Sequence, residues 1–482
     1  MKNTKENIIL LSDSYKVGHH AMYPEGTQNI YSYFESRIGA KFPETVFFGL
    51  QMYLKKYFVG QVVTQADIDE AKEFCKAHFA GMESFFNLDM WQYIVDFHDG
   101  KLPLRITAVR EGTPVPVSNV LMAVEITDET INPRTKKAYC APLTNFFETI
   151  LTHVWHPSNV ATISRDIKKH LKNAFDKTVP DELGWLVDYM LHDFGFRGVS
   201  SIESAGMGGA GHLVNFKGTD TLIAIKYAQR YYNTTEMVGH SVAASEHSIM
   251  TAEGKDGEFK VVERLINEYQ NGILSVVSDS YDIENALKEY GTTFREAILN
   301  RGEGAKFVVR PDSPRFEGDT PADQILWIVK QLEKDFGATV NVKGYKMLHP
   351  KVGVIYGDGL SRDEIIEAID TLVANGYAAS NCVFGMGGGL LQKHNRDTQR
   401  NAFKSSAQKR DGVWHKIFKN PKDTTKASKR GRLALVKADA GLTTVQENEA
   451  DLFGGNLLEL VFENGKLIRD MNWNEVREAA KV

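Results

Sequence analysis

The segment "NCVFGMGGG" (residues 381–389) begins as a short apolar run and ends in almost bare backbone. The apolar run has the length and the β-branched character of a buried strand. The segment "VGVIYGDG" (352–359) has the same order, with a strand-like run before two glycines and an aspartate. Together they predict two strands whose carboxyl ends carry glycine-rich loops.

Two earlier runs follow the same plan but end in charged residues. "LSVVS" (274–278) precedes Asp279, and "KFVV" (306–309) precedes Arg310. Between the strands, "ADQILWIVKQLEKDFG" (322–337) carries apolar residues at helical spacing. Alternating strands and helices predict a parallel sheet or a (β/α) barrel, in which the loops at the carboxyl ends of the strands form the active site.

The two ends of the chain differ from this central part. Aromatic and β-branched runs such as "NIYSYFESR" and "LLELVFENGKLIRDM" dominate them. We therefore expect an α/β protein with an irregular (β/α) barrel-like domain over residues 151–400. We expect a second, β-rich α+β domain to be built from residues 1–150 and 401–482.

Composition narrows the class of protein. The chain has 482 residues and a formal net charge of -5, which argues against nucleic acid or an anionic membrane as a partner. Its three cysteines are scattered, and no apolar segment is long enough for a signal peptide or a membrane span. We expect a soluble, cytoplasmic protein without a disulfide framework or a zinc site.

The glycine-rich loops favour phosphate binding. Glycines such as Gly357, Gly387 and Gly388 let backbone N–H groups approach an anion, although a tight turn is the simpler alternative. In barrels a phosphate often lies at the loops after the last two strands, where these loops occur. Asp358 is suited to accept ribose hydroxyls, or it forms an Asx turn.

The charged strand ends suggest a cation site. Asp279 and Asp312 are candidate oxygen ligands for magnesium, and an internal ion pair with Arg310 is the alternative for Asp312. Asp282 is better explained as a helix cap. His247 remains open between a structural and a catalytic role.

A third glycine-rich segment, "GMGGAG" (206–211), matches the dinucleotide fingerprint GxGxxG in form only. A poor strand precedes it, and no acidic residue follows at the usual spacing. We expect no dinucleotide site there.

Taken in order, several motifs resemble the nicotinamide phosphoribosyltransferases over nearly the whole chain. The motifs that carry this resemblance are "SDSYKVGHHAMYPEGT", "YSYFESR", "HDFGFRGVSS", "HLVNFKGTDT", "ASEHS", "SVVSDSYD", "RPDS", "GDG", "FGMGGGLLQK" and "KRGRL". The resemblance implies transfer of phosphoribosyl from phosphoribosyl pyrophosphate (PRPP) to nicotinamide, giving nicotinamide mononucleotide and pyrophosphate in NAD salvage. It also implies a homodimer with active sites at the subunit interface.

By the same resemblance, each motif residue has an expected role. Phe194 and the partner subunit's Tyr15 would stack on the pyridine ring, Asp220 would accept the carboxamide N–H, and Arg310 would line that pocket. Asp312 and Asp358 would bind the ribose, and the glycines would hold its 5′-phosphate. The cations expected on the phosphates are Arg197, Arg37, Arg396 and Lys404, the last three supplied in trans.

The resemblance also makes His247 the residue that ATP phosphorylates, so that optional ATP hydrolysis is coupled to the transfer. Catalytic roles would fall to His247, Asp279, Arg310 and Asp312, with Mg²⁺ as cofactor.

Two alternatives remain at this stage. One is a nicotinate phosphoribosyltransferase, which would share the phosphate and ribose sites; Asp220 argues against it because a carboxylate repels nicotinate. The other is a nucleotide-binding regulator that has lost catalysis. Retained Arg310, Asp312 and His247 argue against that alternative.

Overall fold

The computed structural model describes residues 6–420, 422 and 427–482. The chain divides into two compact units. The barrel unit comprises Ile163–Lys226, Thr235–His394 and Lys481–Val482, and the β-rich unit comprises Met1–Thr162, Tyr227–Thr234 and Asn395–Ala480. The sequence pattern places the corresponding boundaries at residues 150 and 400.

A seven-stranded sheet forms the centre of the barrel unit, and all of its strand pairs are parallel. Its strands are, in spatial order, Ala243–Ala244, Ile273–Val277, Lys306–Arg310, Val352–Tyr356, Cys382–Met386, Leu191–Asp193 and Gly218–Thr219. The strand Val352–Tyr356 is buried throughout. Continuous apolar runs of this kind are typical of strands that are covered on both faces.

The two edges of this sheet meet. Gly218 forms a parallel bridge with His240, which lies three residues before the strand at the opposite edge. Two backbone hydrogen bonds hold the seam, from the Thr219 N–H to the His240 carbonyl (2.9 Å) and from the His240 N–H to the Lys217 carbonyl (2.7 Å). The unit is therefore a closed but irregular barrel with seven short strands.

The helices follow from local sequence signals. The helix Pro321–Phe336 begins after Thr320, whose hydroxyl accepts from the Asp323 N–H (3.1 Å), and it ends before Gly337 at φ 86°. Its buried face includes Ile325, Ile328 and Val329. Among the described residues, the longer helices are Gln65–His78, Leu88–His98, Trp155–Thr178, Ile202–Leu213, Leu222–Tyr231, Glu258–Glu268, Ile283–Gly291, Pro321–Phe336 and Arg362–Ala374. Shorter ones include Ser14–Val17, Leu50–Tyr53, His247–Met250, Gly388–Leu391 and Trp473–Ala479.

The β-rich unit contains an antiparallel sheet that joins the two ends of the chain. Its strands are, in spatial order, Val413–Lys416, Ala402–Arg410, Thr27–Glu35, Val120–Ile126, Leu104–Ala108, Glu459–Glu463 and Lys466–Leu467. Tyr33 pairs with Lys404 and with Ala123 on its two sides. Burial is nearly complete along Thr27–Glu35, so this interior strand contributes to the core of the unit.

The predicted fold class is confirmed: a parallel barrel-like sheet and a separate β-rich sheet are both present. Asp282 caps the helix Ile283–Gly291 as expected, because its side chain accepts from the Asn285 N–H at 3.0 Å. The segment "GMGGAG" lies within the buried helix Ile202–Leu213 rather than in a loop after a strand. None of the helices in the described residues has the length and apolar character needed to cross a membrane.

Candidate active site

A cavity of about 1000 Å³ lies at the carboxyl ends of the barrel strands. Nine residues that the sequence predicted for the site line it together: Phe194, Arg197, Asp220, Arg310, Asp312, Gly357, Asp358, Gly387 and Gly388. They come from five separate segments of the chain, and the parallel sheet brings those segments to one edge.

Phe194 lines the cavity, and two glycines leave room for its ring. A Cβ atom at Gly385 would lie 2.0 Å from the Phe194 ring, and one at Gly357 would lie 2.9 Å from it. The Phe194 N–H also donates to the Met386 carbonyl at 3.0 Å. These contacts fix the aromatic ring against bare backbone, where a flat ligand can lie on its open face.

The remaining glycines of this loop differ in what they do. A Cβ atom at Gly389 would lie 2.7 Å from the Leu360 carbonyl oxygen, so packing requires that glycine. At Gly387 and Gly388 the nearest atoms would be 3.6 and 3.9 Å away. Packing within the protein therefore does not require these two glycines, and their bare backbone is free for a ligand.

His247 stands between two carboxylates. Its Nε2 atom is 3.7 Å from Asp279 Oδ1, and its Nδ1 atom is 3.5 Å from Asp312 Oδ2. Asp279 holds this arrangement, because its Oδ2 atom accepts from the Asp312 N–H (2.8 Å) and from the Ser313 hydroxyl (2.5 Å). About half of the His247 side chain is exposed, whereas only 5 % of the Asp279 side chain is. A phosphate donor can thus reach the imidazole but not the carboxylate behind it.

Asp358 adds a further negative charge to this region. Burial raises the pKa of Asp358, and the negative charges of Asp312 and Asp279 raise it further. Carboxylates in mutual repulsion accept hydroxyl donors or a cation readily, because either reduces the repulsion.

Arg310 and Asp220 are each held by a serine. The Arg310 guanidinium donates to the Ser245 carbonyl at 3.4 Å, and the Ser241 hydroxyl donates to Asp220 Oδ1 at 2.5 Å. Asp220 follows the last strand of the sheet directly, next to the seam. A cation and an anion are therefore both available to the polar group of a ring stacked on Phe194.

The other four predicted residues belong to the β-rich unit. Arg37, Arg396 and Lys404 lie near one another there, together with Lys419. Burial lowers the pKa of Lys404, the negative charge of Glu148 opposes that effect, and the three neighbouring cations add to it. Tyr15 is 59 % exposed on the short helix Ser14–Val17. A flat ligand can stack on the exposed ring, and an anionic ligand can neutralise the neighbouring cations.

Two residues at or near the cavity were not predicted from the sequence. Lys393 is exposed at its rim, and the Lys393 N–H donates to the Gly388 carbonyl at 2.7 Å. The one-turn helix Gly388–Leu391 turns the chain back toward the glycine loop. The close spacing of Lys393 to Gly388 was therefore the sequence signal that could have predicted its place in the cavity. Asp193 lies fully buried behind Phe194.

Comparison with known proteins gives consistent matches. The model of the nicotinate phosphoribosyltransferase family matches residues 189–466, and the model of the nicotinamide phosphoribosyltransferase N-terminal domain matches residues 7–106. A nicotinamide phosphoribosyltransferase of Xanthomonas campestris is 43 % identical over 98 % of both chains. One from Acinetobacter baylyi is 34 % identical over 97 % of this chain and 95 % of its own.

Two solved structures share the fold at low sequence identity. The nicotinate-nucleotide pyrophosphorylase of Pyrococcus furiosus matches with a TM-score of 0.59 and 14 % identity, over 100 % of this chain and 97 % of its own. Human nicotinic acid phosphoribosyltransferase matches with a TM-score of 0.56 and 13 % identity, over 98 % and 93 %.

The parallel barrel, with glycine loops and carboxylates at the carboxyl ends of its strands, and the match to the family model together identify a phosphoribosyltransferase of the nicotinate phosphoribosyltransferase fold. Within that class, the chain belongs to the nicotinamide phosphoribosyltransferase family. The predicted family, enzyme class and place in NAD salvage are thereby confirmed. The roles of individual site residues, the cofactors and the dimer stay predictions.

Proposed function

We propose that this chain transfers the phosphoribosyl group of PRPP to nicotinamide and releases pyrophosphate. The observation that carries the proposal is that one cavity gathers three kinds of group. An aromatic ring, several carboxylates with arginines, and unobstructed glycine backbone all line it. A pyridine, a ribose and a phosphate require those three kinds of group.

The reaction can be followed along this cavity. The pyridine nitrogen attacks the anomeric carbon of the ribose as the bond to pyrophosphate breaks, and positive charge develops on the sugar ring. Asp312 and Asp358 hold the hydroxyls and lie where that charge is stabilised. Arg197 neutralises the departing anion, and the Gly387 and Gly388 backbone holds the 5′-phosphate.

Asp220 makes the site selective for the amide. Its carboxylate accepts the carboxamide N–H of nicotinamide and repels the carboxylate of nicotinate. The Ser241 hydroxyl fixes its orientation. This arrangement favours nicotinamide over nicotinate as the substrate.

Substitution of Asp220 with serine is expected to reduce the preference for nicotinamide over nicotinate by at least about tenfold. Serine keeps a polar group but removes the charge that repels nicotinate. Steady-state kcat/KM values for the two pyridines, measured at one PRPP concentration, give the ratio directly. An unchanged ratio would show that selectivity originates elsewhere.

Magnesium would be held by Asp279 and Asp312. Asp279 Oδ1 is buried and makes no hydrogen bond among the described residues, so it has capacity for a cation. No group of three or more acidic, histidine or cysteine side chains in the described residues has metal-binding geometry. Mg²⁺ is commonly held by one or two carboxylates and by substrate phosphates, and two carboxylates suit that mode. When bound, the ion would neutralise pyrophosphate as it leaves.

We further propose that ATP phosphorylates His247 and that the partner subunit completes the site. The partner subunit's Tyr15 would cover the pyridine, and the partner's Arg37, Arg396 and Lys404 would bind phosphate. The crowding of these cations supports the idea, because it is relieved when a polyphosphate binds. All three cysteines are free and buried, which supports a cytoplasmic location.

The test of the proposed function is a product assay. Purified protein is incubated with PRPP, magnesium and either nicotinamide or nicotinate, with and without ATP, and each mononucleotide is quantified by chromatography. Product mainly from nicotinamide supports the proposal. Product mainly from nicotinate would overturn the role of Asp220, and no pyrophosphate release from either would favour the inactive regulator.

Two glycine variants test the proposed phosphate site and the proposed pyridine site separately. Gly388→Ala is expected to raise KM for PRPP about tenfold without loss of stability, because its methyl group would occupy the phosphate position but meet the protein only at an ordinary van der Waals distance of 3.9 Å. Gly385→Ala is expected instead to displace Phe194 and to raise KM for nicotinamide, at a stability cost of about 1–3 kcal/mol. Kinetics and thermal unfolding of both variants check this division. Equal effects of both variants on the two substrates would contradict it.

A further inference from the structure

Asp193 is the last residue of the strand Leu191–Asp193 and is fully buried next to Phe194, in the proposed pyridine pocket. It connects two walls of that pocket. Its Oδ1 atom accepts from the Gly195 N–H at 2.7 Å, which shapes the turn that carries Phe194. Its backbone carbonyl accepts from the Asp220 N–H at 2.9 Å.

The glycine-rich helix makes room for this carboxylate. A Cβ atom at Gly209 would lie 3.0 Å from Asp193 Oδ2 and 2.6 Å from the Ala224 Cβ atom. The "GMGGAG" segment therefore allows the helix Ile202–Leu213 to pack closely over a buried acid. Asp193 Oδ2 makes no hydrogen bond among the described residues.

The charge of this acid is costly in the folded protein. Burial raises the pKa of Asp193 to about 6, and the negative charge of Asp220 raises it too, while the Gly195 N–H and the Thr221 hydroxyl oppose the rise. The neighbouring histidines do not compensate, because burial lowers the pKa of His192 and lowers that of His212 to about 3. His212 is bonded instead to Ser164 and to the Gly218 carbonyl.

We propose that Asp193 is a positioning residue of the pyridine pocket, whose buried carboxylate fixes the Phe194 turn and reinforces the exclusion of nicotinate by Asp220. This inference rests on the proposed function. An asparagine could accept the same Gly195 N–H, so hydrogen bonding alone does not explain an acid here. The additional negative charge is what an amide would not supply, and a carboxylate ligand would be repelled by it.

The sign of the pH effect follows from the raised pKa. Above about pH 6 Asp193 is ionised and nicotinate is excluded most strongly; below it, Asp193 is neutral and the exclusion weakens. Because nicotinamide carries no charge, its affinity should change little over this range. A ratio of the two affinities also cancels pH effects that both ligands share.

The test compares the wild type with Asp193→Asn. Dissociation constants for nicotinamide and nicotinate are measured by titration calorimetry from pH 5.5 to 7.5, which requires no turnover. In the wild type the preference for nicotinamide is expected to rise roughly three- to tenfold with pH. In D193N it is expected to stay flat, at or below the wild-type value at low pH.

Thermal unfolding gives a second readout. Since the folded-state pKa of Asp193 lies above its ordinary value of 3.8, the wild type loses stability relative to D193N as pH rises from about 4 through 6. D193N is therefore expected to melt at the higher temperature at pH 7.5 while selecting less well. Asp193→Ala, which also removes the acceptor for Gly195, is expected to weaken binding of both pyridines.

Two results would overturn the inference. One is a wild-type preference that does not change with pH, and the other is a D193N variant with the same preference and pH profile as the wild type. If the wild type bound neither pyridine, the proposed function would fail together with this inference. Binding of both pyridines with a flat ratio would overturn this inference alone.

Discussion

Replacing His247 with alanine is expected to reduce ATP hydrolysis to the background rate and to abolish the stimulation of transfer by ATP. The imidazole is the proposed nucleophile and is half exposed between Asp279 and Asp312, so that its removal would leave ATP without an acceptor for its phosphate. The transfer of phosphoribosyl without ATP should persist at a reduced rate. Phosphate release and nicotinamide mononucleotide formation, measured in the same reactions, distinguish the two activities.

A matched control is available at His170. It also pairs with an aspartate, Asp370, at 2.9 Å, but that aspartate is exposed and is not one of the two carboxylates that flank His247. His170→Ala should leave both activities unchanged. ATP hydrolysis that survives in His247→Ala would refute the assignment of the phosphorylated residue, and acid-labile, base-stable phosphate on the wild type alone would support it.

Asp312→Asn is expected to lower kcat/KM for PRPP by about 10²–10³. The variant keeps the shape of the side chain but removes the charge that, in the proposed mechanism, stabilises the developing positive charge on the ribose. Because Asp312 also contacts His247, the variant should lose ATP coupling as well. Initial rates at several PRPP concentrations, with and without ATP, measure both effects.

The matching charge-neutral control is Asp370→Asn, a surface aspartate of the same unit with 62 % of its side chain exposed. It should retain wild-type kinetics. Loss of less than about threefold in Asp312→Asn would mean that Asp312 does not bind the sugar during the reaction, and the ribose role would then pass to Asp358.

The strand ends could be predicted from sequence because their signals are local. An apolar run followed at once by Asp279, Arg310 or Gly357 marks both a strand and the residue at its carboxyl end. Parallel pairing then places these residues at one edge, and that step follows from the strand and helix alternation alone. The cap at Asp282 is local for the same reason.

Contacts between distant segments could not be predicted in this way. The loop "GMGGG" reads as one phosphate-binding run, yet Gly385 is needed for Phe194 and Gly389 for the Leu360 carbonyl, which leaves only Gly387 and Gly388 free. The residues around Gly385 in the sequence do not predict its contact with the Phe194 ring. The spacing of apolar residues in the sequence also does not predict that Asp193 is buried.

The antiparallel sheet of the β-rich unit has a consequence for synthesis on the ribosome. The strand Thr27–Glu35 of that sheet pairs on one side with Ala402–Arg410. This pairing can form only after the second strand has been translated, some 370 residues later. Until then the nascent chain holds only three adjacent strands, with both edges of that partial sheet open. The barrel unit, whose seven strands lie between residues 191 and 386, can close before that partner emerges. The order of translation thus completes the barrel first and leaves the N-terminal segment dependent on the last part of the chain.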